Sequence, residues 1–346
     1  LTPPKKILVT GGTGYIGSHT VVELLDKGYE VYIIDNLSNS REEVLTGIEK
    51  ITGKIPHFFE FDLLENKKVL DFFTENKPDA VIHFAALKAV GDSVQMPLEY
   101  YENNLISLFN LIKACKANKT KHFVFSSSCS VYGEPDSLPI NEKAVRKTAE
   151  SPYGNSKKMC EDVLQDVSKI DEIKAIVLRY FNPVGAHSSA AIGEYPLGSP
   201  NNLMPVITQT AIGKRQSFQV FGNDYDTPDG TCIRDYIHVV DLAQAHVVAL
   251  ERLIGQRNNA AYEIFNLGTG KGISVKQMIE AFEHVTGQRL NYEIAPRRAG
   301  DVVKVYADTS LANAVLGWQA KLGLDDMIRS AWAWEQQLAK AEGIRH

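Results

Sequence analysis

The sequence predicts a doubly wound α/β fold: a parallel sheet with helices on both faces, joined to a smaller, loop-rich C-terminal substrate-binding domain. Three observations predict it. Short unbroken apolar runs alternate with amphipathic stretches through the first half, a glycine-rich turn links the first run to the first amphipathic stretch, and an aspartate closes the second run. Strands of a parallel sheet are covered on both faces, so they read as continuous apolar runs.

Taken in order, residues 6–10 read as the first buried strand, 15–28 as a helix and 30–35 as the second strand. Residues 57–62, 80–85, 121–126 and 174–180 read as further strands, separated by helices at 69–76, about 97–117 and 153–168. After Phe181-Asn182-Pro183 the chain becomes richer in glycine, proline and polar turns, as suits a substrate-binding lobe. That stretch carries a helix near 204–213 and a strand at 217–221, and 236–253 reads as a helix packed back on the main domain. Beyond residue 273 the pattern gives more helices and a short strand. The expected division is a nucleotide-binding domain over 1–182, rejoined by about 235–255, and a substrate domain made mainly from 183–346.

A length of 346 residues suffices for one large or two ordinary domains, and 44% apolar with 23% charged residues is ordinary globular composition. A net charge of -5 and a pI near 6.0 give no basic footprint for nucleic acid or an anionic membrane, so a small-molecule partner is expected. No apolar run approaches the roughly 20 residues that cross a bilayer, and residues 1–6 lack the apolar core of a signal peptide, which together point to the cytosol. Cys115, Cys129, Cys160 and Cys232 are widely spaced, without CxxC or HExxH patterns, so neither a disulfide framework nor a metal is expected.

Thr10-Gly11-Gly12-Thr13-Gly14-Tyr15-Ile16-Gly17 follows the first strand and opens the first helix. Glycines allow the tight turn and the close backbone approach that a pyrophosphate at a helix N-terminus needs, and the strand and helix on either side make this Rossmann-type signature specific. Asp35 closes the second strand 18 residues past Gly17, where an acid accepts hydrogen bonds from the adenosine ribose. Its charge would repel a 2'-phosphate and no arginine follows before Arg41, so NAD is expected over NADP. Asp62, at the end of the third strand, fits an adenine contact or a polar strand terminus equally. The small residues of Phe84-Ala85-Ala86-Leu87-Lys88 let the backbone crowd a cofactor or simply pack, and Lys88 can reach a nicotinamide ribose or a substrate phosphate.

Tyr153 and Lys157 lie four apart at the start of a helix, so both project from one face within reach of each other. A phenol ordinarily has a pKa of about 10, and moving it to about 7 takes roughly 4 kcal/mol of differential stabilisation, part of which an ammonium can supply. Only one of the 14 tyrosines has a lysine four residues on, and it follows the Ser126-Ser127-Ser128 strand end.

With the glycine run, Asp35 and the serine-rich strand end, the chain resembles the extended short-chain dehydrogenase/reductase superfamily and, within it, the UDP-galactose 4-epimerase family. The likeness runs along nearly the whole chain, through Val131-Tyr132-Gly133, Arg179-Tyr180-Phe181-Asn182-Pro183, Asn201-Asn202-Leu203, Arg234-Asp235-Tyr236-Ile237-His238 and Arg297-Arg298-Ala299-Gly300-Asp301. Cys129 and Ser130 stand where the family commonly has alanine and threonine.

The resemblance implies reversible oxidation at C4 of a UDP-hexose, with Tyr153 as base, Lys157 favouring its phenolate and Ser128 holding the 4-hydroxyl. It implies NAD contacts from Gly11, Gly14, Tyr15, Ile16 and Gly17, from Asp35, Asn36, Leu37, Ser38, Asn39 and Ser40, and from Asp62 and Leu63. Phe84, Ala85, Ala86, Lys88, Asn103, Tyr153, Lys157 and Phe181 complete that set. For the UDP-sugar it implies Arg234 and Arg298 as pyrophosphate ligands, Phe221 with Asn201, Asn202 and Leu203 around the uridine, Asn182 at phosphate or sugar, and Asp301 at a ribose. Lys88, Ser128 and Tyr153 belong to this substrate set as well. Val305 occupies a position that is a bulky aromatic in some members and small in others, and a small residue implies room for a 2-acetamido group. A homodimer through the helices near 97–117 and 153–168 is implied too. Two other readings are a sugar-nucleotide 4,6-dehydratase or decarboxylase, of which dehydratases place an acid beside the catalytic serine where Cys129 and Ser130 offer none, and a non-catalytic NAD-sensing regulator.

Overall fold

Alternate side chains of strand β1 (Lys6–Thr10) enter two different cores, Ile7 and Val9 on one face and Leu8 on the other, so the strand is buried on both sides. The computed structural model describes residues 3–170, 173–298 and 301–344; Ala299 and Gly300 of the arginine motif lie outside them. After β1 come α1 (Tyr15–Asp26), β2 (Glu30–Asp35), α2 (Glu43–Thr52), β3 (His57–Glu60), α3 (Asn66–Asn76) and β4 (Ala80–His83). Then follow α4 (Val90–Gln95), α5 (Pro97–Asn118), β5 (His122–Ser126), α6 (Pro152–Lys169), β6 (Lys174–Tyr180), β7 (Asn182–Val184), α7 (Leu203–Ala211) and β8 (Phe218–Phe221). The last elements are β9 (Ile233–His238), α8 (Val239–Ile254), β10 (Tyr262–Leu267), β11 (Gly272–Ser274), α9 (Val275–Thr286), β12 (Tyr292–Ala295), β13 (Lys304–Val305) and α10 (Leu324–Ala341).

Seven strands form one parallel sheet in the order β10-β6-β5-β4-β1-β2-β3. The chain moves outward from β1 through β2 and β3, then crosses back to β4 on the other side. The resulting switch point, outside the C-terminal ends of β1 and β4, is where such sheets open a ligand crevice. Val21, Leu24, Leu242 and Leu250 from α1 and α8 cover one face, and Phe72, Phe73, Leu108, Leu111 and Leu164 from α3, α5 and α6 cover the other.

Two smaller sheets lie beyond: β7, β11 and β13 all pair with β9, and β12 pairs with β8. Their core is Met204, Ile207, Phe218, Val220, Met278, Phe282, Met327 and Ile328.

Several parts of the fold depart from the sequence reading, among them helix α2 (Glu43–Thr52), which was not expected between the second and third strands. Residues 236–238, expected to begin a helix, finish strand β9, and the His238 side chain then caps α8 by accepting from the Val240 N–H at 3.1 Å. The third helix starts three residues earlier than expected, at Asn66, and the short helix α4 precedes the break at Met96-Pro97. Strand β10 was not anticipated because its polar residues interrupt the apolar run. Those residues are satisfied from elsewhere: Glu263 pairs with Arg252 at 2.7 Å, and Asn266 accepts from Tyr132 at 2.6 Å and donates to the Ile140 carbonyl at 2.9 Å.

Asp235 holds the smaller lobe to the segments around it. It is fully buried and accepts from the backbone N–H groups of Thr269 (2.8 Å), Gly270 (3.0 Å) and Ala307 (3.1 Å) and from the Thr269 hydroxyl (2.7 Å). Asp235→Ala leaves three N–H groups without their acceptor, that of Ala307 in a buried bond and those of Thr269 and Gly270 in part-buried ones, and an unsatisfied buried group costs about 1–3 kcal/mol. We expect a loss of roughly 3 kcal/mol or more, read as a lower urea midpoint at unchanged slope; a loss below about 1 kcal/mol would contradict this role.

Candidate active site

The turn after β1 closes on itself, with the Gly14 N–H donating to the Gly11 carbonyl at 3.1 Å. Gly11 has a φ of +70°, and a Cβ there would lie 2.7 Å from the Ala85 nitrogen. A Cβ on Gly17 would lie 2.1 Å from the Gly11 carbonyl oxygen. The missing side chains thus let α1 start hard against the loop and let residues 84–85, whose N–H groups donate to the Thr10 carbonyl, lie across it. No side chain caps α1, which leaves the N–H groups of its first turn for an anion. The Tyr15 hydroxyl donates to the Gly185 carbonyl at 2.6 Å and ties this loop to the segment after β7.

At the end of β2 the Asp35 carboxylate accepts from Thr13 N (3.2 Å), Leu37 N (3.0 Å) and the Ser40 hydroxyl (3.1 Å). A carboxylate has about four acceptor positions, so the loop 36–40 orients it and leaves capacity for a further donor. Asn36, Ser38 and Asn39 are exposed around it. Asp62 accepts from Asn36 Nδ2 and Leu64 N, both at 2.8 Å, and so acts as a turn residue at the strand end; Leu63 beside it is buried. The glycine cradle, the uncapped helix and the oriented carboxylate together fit a dinucleotide whose ribose carries free hydroxyls.

Catalytic candidates gather where β5 meets α6. Ser151 caps α6 by accepting from Gly154 N at 3.2 Å and Pro152 fills its first position, which puts Tyr153 in the first turn and Lys157 one turn on. Both are buried. The Lys157 ammonium donates to the Ser126 carbonyl at 2.9 Å and lies 4.8 Å from the Phe125 ring centre. Among the described residues it makes no hydrogen bond to the Tyr153 phenol, and its ammonium is anchored on the strand end. Burial lowers the Lys157 pKa to about 8, against the opposing pull of Cys160 and Glu161. Burial also pushes the Tyr153 phenol well above its ordinary value, with Tyr180 adding to the rise and the Ser128 hydroxyl opposing it. Ser128 caps the short helix Cys129–Tyr132, accepting from Ser130 N at 3.2 Å. Tyr180, which the sequence reading left without a role, accepts from the Ser126 hydroxyl at 3.0 Å; its place in the Arg179–Pro183 motif was the available signal.

Arg234 and Arg298 converge on one carboxylate. Their Nη2 atoms lie 3.6 Å and 3.1 Å from Asp301 Oδ1, and the Arg298 guanidinium lies 5.4 Å from the half-exposed Phe221 ring centre. Val305 pairs with Arg234 in the β13–β9 register and packs with Phe181 and Cys129 beside Ser128, joining the arginine pair to the catalytic strand. Asn202, exposed just ahead of α7 and Leu203, donates to Glu194 at 2.5 Å. Burial raises the Glu194 pKa, while the exposed Lys88 and the Asn202 amide oppose the rise. Phe84 packs against His246 at 4.6 Å with the partly buried Ala85 and Ala86 after it, Asn103 and Asn182 are half-buried, and Asn201 is exposed.

Comparison with known proteins gives this geometry its family. Residues 8–331 match the family model described as GDP-mannose 4,6 dehydratase. The UDP-glucose 4-epimerase of Bacillus subtilis is 52% identical over 330 residues, covering 95% of this chain and 96% of that one. The chain belongs to the UDP-glucose 4-epimerase family. The human member is 49% identical over 340 residues, covering 96% of this chain and 97% of its own. Among solved members, the Stenotrophomonas maltophila enzyme with bound NAD and formylated UDP-arabinopyranose superposes with a TM-score of 0.94 at 46% identity, covering 97% of this chain and 99% of that chain. The Bifidobacterium longum enzyme in complex with NAD+ and UDP gives 0.92 at 47% identity, covering 96% and 98%.

Proposed function

We infer that the protein interconverts UDP-galactose and UDP-glucose by oxidising C4 of the hexose to a ketone and reducing it again from the opposite face. The observation that carries this reading is the buried Tyr153 phenol beside Ser128, with Lys157 anchored on the same strand end and the glycine cradle on the same edge of the sheet, after β1, one strand beyond β4. Gly11, Gly14, Tyr15, Ile16 and Gly17 would hold the NAD pyrophosphate, Asp35 with residues 36–40 its adenosine ribose, and Asp62 and Leu63 the adenine side. Phe84, Ala85, Ala86, Lys88, Asn103, Lys157 and Phe181 would hold the nicotinamide half. When bound, NAD supplies the acceptor and later the donor of the C4 hydride, together with a positive charge that favours a nearby phenolate.

Tyr153 takes the 4-hydroxyl proton and returns it after the sugar has turned. Burial, with Tyr180 adding to it, opposes its ionisation and the Ser128 hydroxyl acts against that rise; the positive charges of Lys157 and of bound NAD would favour the phenolate further. Lys157 keeps most of its charge below about pH 8. Ser128 is positioned to hold the 4-hydroxyl. Turnover of the ketone needs a fixed nucleotide and a loosely held sugar. Arg234 and Arg298 suit the pyrophosphate because guanidinium forks match phosphate oxygens, Phe221 with Asn201, Asn202 and Leu203 suits the uridine, and Asp301 its ribose. Asn182 and Lys88 remain for the phosphate or sugar edge. A dehydratase would need an acid next to Ser128, and the Cys129 thiol there is pushed up to about 12 by burial.

Val305, buried in one cluster with Phe181 and with Cys129 packed against it, supports a wider substrate range, because a valine is smaller than the aromatic side chain that other members of the family carry there and would leave room for a 2-acetamido group. UDP-GalNAc and UDP-GlcNAc are therefore proposed as a second substrate pair. The seven-stranded sheet with α8 is the proposed cofactor lobe, and α7, α9, α10 and the small sheets the UDP-sugar lobe. Val90, Val94, Met96, Leu98, Phe109 and Met159 expose apolar surface along the mutually packed α4, α5 and α6, which supports a homodimer through that face. Free thiols at all four cysteines are compatible with the reducing cytosol proposed as its location.

Purified protein is expected to form UDP-glucose from UDP-galactose, and Tyr153→Phe to fold, keep NAD and lose about 10²- to 10⁴-fold in kcat. Normal turnover by that variant would remove Tyr153 as the base, and failure of the wild type despite bound NAD would favour the regulator. Val305→Tyr should abolish UDP-GalNAc turnover while sparing UDP-galactose; a wild type that leaves saturating UDP-GalNAc untouched ends the wider range. Sedimentation at micromolar concentration should give a dimer, and a monomer would refute the proposed face.

A further inference from the structure

Glu161 lies on α6 one turn beyond Lys157, fully buried, and takes no part in the chemistry above. It accepts from the Ser127 hydroxyl at 2.6 Å, from Arg179 Nε at 2.9 Å and Nη2 at 2.5 Å, and from Arg146 Nη1 at 3.3 Å. An ionised carboxylate taken out of water costs several kcal/mol even after relaxation, so it persists inside a protein only with such a set of donors.

The position of these donors is informative. Ser127 stands between Ser126, whose carbonyl holds Lys157, and Ser128, whose hydroxyl bonds to Ser130 and counters the raised pKa of the Tyr153 phenol. Arg179 donates onward to the Tyr132 hydroxyl at 2.9 Å, and Tyr132 ends the short helix that Ser128 caps. One buried ion pair therefore ties down the backbone on both sides of Ser128.

We propose that Glu161 is a positioning residue for proton transfer, fixing through Ser127 and Arg179 the strand end that presents Ser128 to Tyr153 and the Ser126 carbonyl to Lys157. This rests on the epimerase reading. A pair retained only for stability would act equally on every part of the fold, whereas the Ser127 link acts on the groups that must stay aligned during the reaction. Its negative charge also favours the ammonium form of Lys157 against burial.

Glu161→Gln strands the Arg179 charge in the core and can fail to fold, so Ser127→Ala is the decisive variant: it cuts the link and leaves the ion pair intact. In the full chain with NAD bound, Ser127→Ala is expected to lower kcat for UDP-galactose about tenfold, with KM within twofold and retained NAD unchanged. An unchanged kcat, or a rise in KM alone, would overturn the positioning role while leaving the epimerase reading intact. A wild type inactive on UDP-galactose would instead refute the reading on which the role rests.

Discussion

Parallel pairing in the order β4, β1, β2 on one side and β4, β5, β6 on the other is the constraint from which the site follows. A parallel sheet ends all its strands at one edge, and the register places Thr10 beside His83, His83 beside Phe125, and Ser126 beside Leu178. The glycine turn, the small residues after β4, the serine-rich end of β5 and Tyr180 at the end of β6 therefore open on the same edge without any local instruction to do so. Residues from four separate stretches of chain are brought to one edge by the backbone hydrogen bonding of the sheet.

The chemistry at that edge rests on opposed effects of burial. Desolvation disfavours charge in either direction, raising the Tyr153 phenol and lowering Lys157 to about 8. A proton-transfer pair works there only if each charged form has a compensating partner. Lys157 has the Ser126 carbonyl and the field of Glu161; Tyr153 has the Ser128 hydroxyl. The substrate side shows the complementary arrangement, two guanidinium groups directed at one carboxylate near the surface, where a pyrophosphate can be met by both.

Much of this was legible in the sequence because it is written in local patterns. Unbroken apolar runs gave the central strands, the glycine spacing gave the cradle, and Ser151-Pro152 ahead of Tyr153 marked the start of α6. What could not be read depends on partners distant in the chain. Strand β10 is polar, and its Glu263 and Asn266 make sense only beside Arg252, Tyr132 and Ile140. The opening of the helix expected at 236–253 belongs to β9 because Asp235 meets donors from residues 269, 270 and 307. Spacing put Lys157 on the same helix face as Tyr153, but did not show that its buried ammonium is held by the Ser126 carbonyl. The roles of Glu161 and Arg179 were equally invisible, since a charged pair reads as surface until its surroundings are known.

Hydride transfer at C4, with the proton handled separately by Tyr153, is the central claim. It is tested most directly with UDP-galactose carrying deuterium at C4, turned over by the NAD-bound protein in ordinary water. Direct transfer out and back predicts UDP-glucose that keeps the deuterium at C4, with no cofactor released. Loss of the label to solvent would contradict it.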